Sequence, residues 1–285
     1  MNARASAPLE ELPPVVIRIR PSRGWAWLDL RALWEYRELL YFLVWRDLKA
    51  RYKQTVLGAA WAILQPLLAT AVFSVIFGLL IQVPSEGLPY PAFAYAALLP
   101  WNYFATALRR SSMSVVENAN LVTKVYFPRL ILPLAGVIGS LVDLGFGLAV
   151  MFGLLLLYSL PLTPALLLLP VLVLLGAATA LAAGLWLSAL NVRYRDVNYV
   201  LAFLTQVWMY ATPVVYSSTV IPERWRPFYA LNPMVGVVEG FRWALLGQGQ
   251  IPGQSLGIAA GVVGALLIGG LFYFRQMEKT FADIV

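Results

Sequence analysis

Six apolar stretches alternate with short polar segments along most of the chain. A helix needs about 20 mainly apolar residues to cross a bilayer. The stretches therefore predict six transmembrane helices, at about residues 57–83, 91–115, 130–158, 165–190, 198–217 and 255–275. Residues 144–192 carry no charge and are too long for one crossing, and Pro161 and Pro164 divide them into two helices joined by a short turn.

Lysine and arginine are concentrated on one side of these six crossings. Of the 21 basic residues, ten lie in the first 53 positions, and eight more lie in segments that six crossings bring to the same side. Arg224, Arg226 and Arg242 fall on the other side. Because cationic flanks resist translocation, we expect a protein of the cytoplasmic (inner) membrane whose two termini are both cytoplasmic.

Composition agrees with one membrane domain of nearly full length. Hydrophobic residues make up 60% of the chain and charged residues 12%, whereas a soluble domain is about 45–50% apolar. We expect a cytoplasmic N-terminal segment at 1–54, an all-α domain of six spans at 55–275 and a cytoplasmic tail at 276–285. The charge bias across the membrane accounts for the net charge of +7, so nucleic acid is not an expected partner.

The segment ahead of the first span has a helical hydrophobic period. Leu33, Tyr36, Leu40, Val44 and Leu48 recur at intervals of three or four residues. This spacing predicts an amphipathic helix that lies in the cytoplasmic membrane interface. Simple anchoring and the docking of a partner both remain open as its role.

The segment that joins the fifth and sixth predicted spans, at about 217–254, is rich in both proline and aromatic residues. It is too apolar for a free loop, and its prolines prevent one continuous helix. We predict a pair of short helices that re-enter the outer leaflet. They serve either as a gate or as a static cap.

Residues suited to catalysis are scarce. The chain has neither cysteine nor histidine, which excludes disulfides, thiol nucleophiles and histidine-ligated metal centres. Asp143 is the one acid deep within a predicted span, and burying its charge costs about 2.5–3.5 kcal/mol, so it should face a partner helix or water. We expect no isolated basic residue in a span to pair with it. A structural hydrogen bond and a place on a transport path both remain open.

The chain lacks the glycine-rich phosphate loop with its Lys-Ser/Thr ending that many ATPases use. If ATP drives this protein, a separate polypeptide must bind ATP and Mg and hydrolyse the nucleotide. We therefore expect neither an enzyme nor a cofactor in this chain.

One predicted cytoplasmic loop, residues 117–129, favours a short helix that ends at Pro128. Its apolar face, formed by Leu121, Val122 and Val125, is expected to be exposed. An exposed apolar face on such a loop is typical of a docking site.

A second cytoplasmic loop, residues 191–196, sets Arg193 and Arg195 around Tyr194, and Asp196 is able to pair with either arginine. The bias of positive charge towards the cytoplasm explains the arginines but not the whole cluster.

Several motifs of this sequence resemble those of the permease subunits of type-2 ABC exporters, which move O-antigen, capsule or teichoic-acid polymers. The matching stretches run in family order and are residues 45–61, 99–104, 124–129, 191–196, 212–216, 231–234 and 240–242. Each motif alone is weak evidence, whereas the ordered set is strong.

The resemblance implies a homodimer of six-span subunits that binds two copies of a separate ABC ATPase. The N-terminal amphipathic helix would be the interface helix of the family, and residues 218–247 would be the pair of outer gate helices. Residues implied to contact the ATPase are Glu117, Asn118, Leu121, Val122, Lys124, Val125, Tyr126, Arg193, Tyr194, Arg195 and Asp196. Gate residues are Trp225, Phe228, Tyr229, Glu239, Arg242 and Trp243.

A lipid-linked glycan would need two kinds of contact. Aromatic side chains bind flat sugar faces weakly and repeatedly, and the candidates are Tyr95, Trp101, Tyr103, Phe104, Trp208, Tyr210 and Tyr216. Basic side chains in the interface reach the phosphates of the carrier, and the candidates are Arg46, Lys49, Arg51 and Lys53. Membrane-belt aromatics and ordinary cytoplasmic positive charge are the alternative interpretations of the two sets.

Other functions fit less well. A permease of the same architecture for small drugs or lipids is the nearest alternative. A secondary transporter tends to show internal repeats and several intramembrane ionisable groups. A membrane glycosyltransferase needs paired acids in a cytoplasmic loop to hold a metal, and the loops here offer none.

Overall fold

The computed structural model describes residues 30–53, 58–194, 196–247 and 252–284, and it places helices and no strand in them. This agrees with the predicted all-α class. The helices are α1 (Leu30–Glu35), α2 (Arg37–Lys53), α3 (Gly58–Phe73), α4 (Tyr90–Glu117), α5 (Ala119–Lys124), α6 (Ile131–Leu157), α7 (Leu169–Arg193), α8 (Val197–Tyr210), α9 (Arg226–Ala230), α10 (Pro233–Leu246) and α11 (Gly253–Ile284). A π-helix, Ser74–Leu80, continues α3, and short 3-10 turns precede α7 and α9.

Four helical segments in the described part of the chain are long and apolar enough to cross a membrane: Ile63–Leu80, Ile131–Leu157, Pro164–Arg193 and Gly253–Phe281. Helices α4 and α8 occupy the second and fifth predicted spans. Helix α8 has 14 residues, which is about 21 Å of helix against an apolar membrane thickness of about 30 Å. Helix α4 is long enough, but its tyrosine, proline, asparagine and threonine residues make it less apolar than the four segments above. Six crossings therefore stay a prediction.

Helix α4 lies at the centre of the bundle, where it contacts α3, α6, α7 and α10. Most of its side chains from residue 92 to 108 are buried. Close approach depends on small residues: a Cβ atom on Gly184 of α7 would lie 2.3 Å from the Oγ of Ser111 on α4. Small side chains along α4 and its neighbours thus allow α3, α6, α7 and α10 to pack around α4.

Helix α2 packs along α6. The predicted apolar stripe, which runs from α1 into α2, is half-buried against the bundle, next to the buried Leu43. Trp34 of α1 and Tyr41, Phe42 and Trp45 of α2 are exposed. The stripe therefore faces protein. Its position in a membrane interface stays a prediction.

Helix α11 continues nine residues beyond the predicted end of the last span at 275. Phe281 is fully buried, and the Nη1 atom of Arg129 donates to the carbonyl of Glu278 at 2.8 Å. Gly257 and Gly261 form a GxxxG pair in α11, a spacing that favours close helix packing. In the described chain no heavy atom of a neighbour lies within 4 Å of a Cβ built at either glycine, and the close contact is made instead by Gly269 and Gly270 against Trp186.

The segment after α8 contains one short helix, α9, and one longer helix, α10. Helix α10 is largely buried and contacts α4, α7 and α11, while α9 is mostly exposed. The two ends of the bundle are named below by the short helices at them: the α5 end, where α2 and the C-terminal part of α4 also lie, and the α9 end.

Candidate functional site: a cationic cavity

A cavity of about 1110 Å³ lies between α2, α3, α4, α6 and α8. Its lining residues are Arg51, Tyr52, Trp61, Gln65, Pro66, Leu99, Asn102, Tyr103, Ala105, Thr106, Arg109, Arg110, Met113, Asp143, Leu144, Gly147, Asn198, Leu201, Ala202 and Thr205. On α4 the lining runs from Leu99 to Met113, which is about 21 Å at 1.5 Å per residue. The cavity thus extends from the middle of the bundle towards the α5 end.

The wall changes in chemistry along this length. Around Leu99, Leu144 and Gly147 it is apolar, and towards the α5 end it carries three guanidinium groups and one carboxylate. Amide and hydroxyl side chains of α3, α4 and α8 lie between these regions. A polar ligand with an anionic end would match this arrangement.

Asp143 is the centre of the charged region. Its Oδ2 atom accepts a hydrogen bond from Arg51 and one from Arg110 at 3.5 Å, and its Oδ1 atom accepts from the phenol of Tyr52. Arg110 also donates to Ser140 at 3.4 Å. Burial, reinforced by the Asp143 carboxylate, raises the pKa of Tyr52 to about 12, so this phenol remains a donor at physiological pH.

The expectation that Asp143 has no basic partner was wrong. Arg51 lies 92 residues away on a helix outside the spans, and no local pattern joins the two. Arg110 lies within the predicted span 91–115, where it had been counted only as cytoplasmic positive charge. Its location inside that span was the signal that could have identified it.

One face of α6 explains why these groups meet. Gly136, Ser140, Asp143 and Gly147 follow helical spacing and face α4. A Cβ atom on Gly136 would lie 2.9 Å from the backbone nitrogen of Ser111, and the phenol of Tyr95 donates to the carbonyl of Gly147 at 3.1 Å. The close contact of α4 with α6 therefore sets Arg110 beside Asp143.

The four predicted carrier-phosphate residues are not brought together. Arg51 lines the cavity, whereas Lys49 and Lys53 are exposed and do not line it. Arg46 donates to Asp47 at 2.8 Å and to Asn118, which directly precedes α5, at 2.9 Å. Arg109 and Arg110 take the remaining places at the cavity wall.

The predicted glycan-contacting aromatics are also dispersed. Of the seven, Tyr103 lines the cavity. The side chains of Tyr95, Trp101 and Phe104 are buried in the bundle; Trp208 and Tyr216 are half-buried and Tyr210 is exposed. The lining role of all seven stays a prediction.

Helix α5 confirms a short helix in this loop, but the helix ends at Lys124 and not at Pro128, because Val125 is already extended. Its apolar face also differs from the expectation that all three apolar residues are exposed. Val122 is 2% exposed and packs against the bundle, so it is not available for direct docking. Val125 and Tyr126, which follow the helix, are 50% and 80% exposed. Partial burial raises the pKa of Glu117 at the end of α4, and the guanidinium of Arg109 opposes that rise.

The other predicted ATPase contacts are at the same end. Lys124, Arg193 and Asp196 are exposed, Asn118 and Leu121 are half-buried, and Tyr194 is 54% exposed beneath the guanidinium of Arg193. Arg195 lies outside the described residues.

The predicted gate residues divide into two groups. Trp225 and Phe228 are exposed at the α9 end. Tyr229, Glu239 and Trp243 are half-buried, and Arg242 is buried. The hydroxyls of Tyr229 and Tyr216 lie 2.8 Å apart, and Glu239 accepts from Ser255 of α11 at 2.8 Å.

Comparison with known proteins decides the family. The model of the ABC-2 type transporter family matches residues 38–246. The chain belongs to this family. An O-antigen export system permease protein of Myxococcus xanthus is 33% identical over 260 residues, which cover 90% of this chain and 98% of the relative.

Two further family members are similar over most of their lengths. An O-antigen export system permease protein of Klebsiella pneumoniae is 28% identical over 87% of this chain and 95% of the relative. A polysialic acid transport protein of Escherichia coli is 25% identical over 82% of this chain and 91% of the relative. Membership of the ABC-2 family and the four apolar helices make this chain a membrane protein, and the family implies partnership with an ABC ATPase.

Proposed function

We propose that the chain is the channel-forming subunit of an ATP-driven exporter that moves lipid-linked polysaccharide, of the O-antigen, capsule or teichoic-acid type, across the cytoplasmic membrane. Similarity to O-antigen and polysialic acid permeases over more than four fifths of the chain carries this proposal. The cavity supports it, because amide, hydroxyl and guanidinium groups on its wall suit a hydroxyl-rich cargo with an anionic carrier.

The working assembly in this proposal is a homodimer with two ATPase subunits, which bind ATP and Mg. Helices α4 and α8 complete six crossings, and both termini are cytoplasmic. Helix α2 lies in the interface at the cytoplasmic side. The exposed side chains of Val125 and Tyr126, together with residues 193–196, dock on the ATPase.

The outer side of the assembly is closed by α9 and α10. Helix α10 is held in the bundle, whereas α9 is exposed. When the outer side of the channel opens, α9 and the 3-10 turns before it therefore move more than α10 does. Of the seven aromatic candidates, Tyr103 at the cavity wall and the less buried Trp208, Tyr210 and Tyr216 contact sugar rings once two subunits form the channel.

Deletion of this chain in its native host tests the function, with lipid-linked glycan in the inner membrane and glycan at the cell surface as the two measurements. We expect lipid-linked polymer to accumulate on the cytoplasmic side and surface glycan to be lost, with both restored by the intact gene. Unchanged surface glycan with altered sensitivity to small toxic compounds would contradict the proposal and favour export of small drugs or lipids.

A further inference from the structure

We propose that Arg51, Arg109 and Arg110 form a binding site for a phosphate-bearing group on the cargo, and that Asp143 occupies this site until the phosphate displaces it. The inference rests on the proposed function and deepens it, because it identifies where the charged end of the cargo binds. It differs from the sequence-based set of phosphate contacts, of which it keeps Arg51 alone.

Charge is the first argument. The cavity wall carries three guanidinium groups and a single carboxylate, an excess of two positive charges among its lining residues. The Glu117 carboxylate offsets part of this charge at Arg109, and the positive charge that remains next to apolar side chains attracts an anion. A phosphate ester or diphosphate carries about two negative charges near neutral pH, as phosphoryl groups do, whereas the carboxylate of an acidic sugar carries one.

Geometry is the second argument. The planar fork of arginine matches two phosphate oxygens at once. The side chains of Arg51, Arg110 and Asp143 are 25%, 22% and 23% exposed, so a ligand in the cavity can reach all three. A volume of about 1110 Å³ leaves ample room for a diphosphate and part of its attached chain.

The weak contacts of Arg110 are the third argument, whereas Arg51 holds Asp143 more closely. Arg110 contacts Asp143 at 3.5 Å and Ser140 at 3.4 Å, near the outer limit for a hydrogen bond. A phosphate dianion in the same cluster competes with the Asp143 carboxylate for Arg110 and Arg51. The phosphate carries two negative charges and the carboxylate only one. Tyr52 continues to donate to Asp143 after the exchange, so the displaced carboxylate keeps one hydrogen bond.

Equilibrium binding of farnesyl diphosphate to the full chain in phosphatidylcholine nanodiscs tests this site. We expect Arg51→Gln and Arg110→Gln each to weaken binding at least tenfold. Lys53→Gln is the matched control, because it removes the same charge from an exposed position on the same helix, and binding should stay within twofold of the original chain. Asp143→Asn should tighten binding about threefold or more, since the competing carboxylate is gone.

The sign of the Asp143→Asn effect separates the proposal from a purely structural ion pair, which would leave binding unchanged or weaken it. Unchanged binding in either arginine variant would overturn the site. The arginine variants remain decisive if Asp143→Asn fails to insert into the membrane.

Ligand controls test which part of the probe is bound. Farnesol should not compete with farnesyl diphosphate for the site. Inorganic pyrophosphate should bind at least tenfold more weakly than farnesyl diphosphate; equal affinity would assign the site to soluble phosphate and overturn the cargo assignment. Tighter binding of a sialic acid oligomer than of farnesyl diphosphate would overturn the proposal that the site binds a phosphate group.

The deletion experiment and the binding experiment can overturn the exporter proposal and the phosphate-site proposal separately. Loss of surface glycan on deletion, combined with normal probe binding in the arginine variants, would overturn the phosphate site and leave the exporter proposal intact. Probe binding as expected, combined with unchanged surface glycan, would overturn the exporter proposal alone.

Discussion

Two charged groups inside the bundle, the half-buried Asp143 and the buried Arg242, are stabilised in different ways. Asp143 is compensated by opposite charge from Arg51 and Arg110. Arg242 donates instead to three backbone carbonyls, those of Val214 at 2.7 Å, Tyr216 at 3.0 Å and Phe93 at 3.4 Å. Its guanidinium carbon also lies 3.8 Å from the centre of the Phe93 ring. Arg242 thereby joins α10 to the start of α4 and to the turn after α8.

Replacing Arg242 by methionine should therefore destabilise the fold strongly. Methionine fills similar space but leaves three carbonyls without their donor, and hydrogen bonds to charged groups contribute about 1.5–3 kcal/mol each after exchange with water. Removal of the buried positive charge offsets part of this loss. We expect a loss of about 2–4 kcal/mol, measured as a lower thermal unfolding temperature in detergent. Arg224→Met, at an exposed position beside α9, is the control and should leave this temperature unchanged. Equal stability of both variants would show that water replaces Arg242 adequately.

At the scale of helices, the contact of α4 with α6 determines the cavity. Gly136 has no room for a side chain, because a Cβ atom would lie 2.9 Å from the backbone of Ser111 and 3.0 Å from that of Arg110. Backbone atoms cannot move aside as a flexible side chain can. An added methyl group must therefore separate the two helices next to Asp143.

Gly136→Ala should lower stability by about 1–3 kcal/mol, the usual cost of overpacking, and should weaken farnesyl diphosphate binding by displacing Arg110. Gly145→Ala on the same helix is the matched control, since no heavy atom of a neighbour in the described chain lies within 4 Å of its Cβ position. Thermal unfolding and probe binding measure the two effects. A stable Gly136→Ala chain with normal binding would mean that α4 and α6 adjust without consequence for the cavity.

The positions of the long helices could be predicted from apolar stretches, whereas several of their ends could not. Helix α8 ends at Tyr210 rather than near 217, since Asn232 donates to the carbonyl of Ala211 and to the hydroxyl of Thr212, and Arg242 holds the turn that follows. Helix α11 extends to Ile284 because Phe281 is buried against other helices. The end of α11 depends on contacts between residues far apart in sequence, whereas Pro213 was a local signal for the end of α8.

The candidate site shows the same limit. Hydropathy identified Asp143 as unusual, and helical spacing identified α2 as amphipathic. Neither pattern indicates that Arg51 and Tyr52, at the end of α2, lie against Asp143, which follows them by 92 and 91 residues. Likewise, spacing alone could not tell whether Val122 or Val125 faces the bundle, because both are apolar and only packing distinguishes them.

For the whole molecule, the central question is how many helices cross the membrane. Tyr126 follows α5, Leu162 lies between α6 and α7, and Phe228 lies in α9; their side chains are 80%, 60% and 67% exposed. Tyr126 and Leu162 are separated by α6 alone, which is long and apolar enough to span. Tyr126 and Phe228 are separated by α6, α7 and α8. They lie on opposite sides only if the short helix α8 also completes a crossing.

Because the chain contains no cysteine to remove first, the single substitutions Tyr126→Cys, Leu162→Cys and Phe228→Cys can each be mapped with a membrane-impermeant thiol reagent. We expect labelling of Tyr126→Cys in inside-out vesicles, and of Leu162→Cys and Phe228→Cys in right-side-out spheroplasts. The reason is that most basic residues in the described ranges, including Lys124 and Arg129, lie at the α5 end and resist translocation. Tyr126→Cys and Phe228→Cys reacting from the same side, with Leu162→Cys reacting from the other, would show that α8 does not cross. That result would overturn the six-span topology while leaving α6 and α7 as spans.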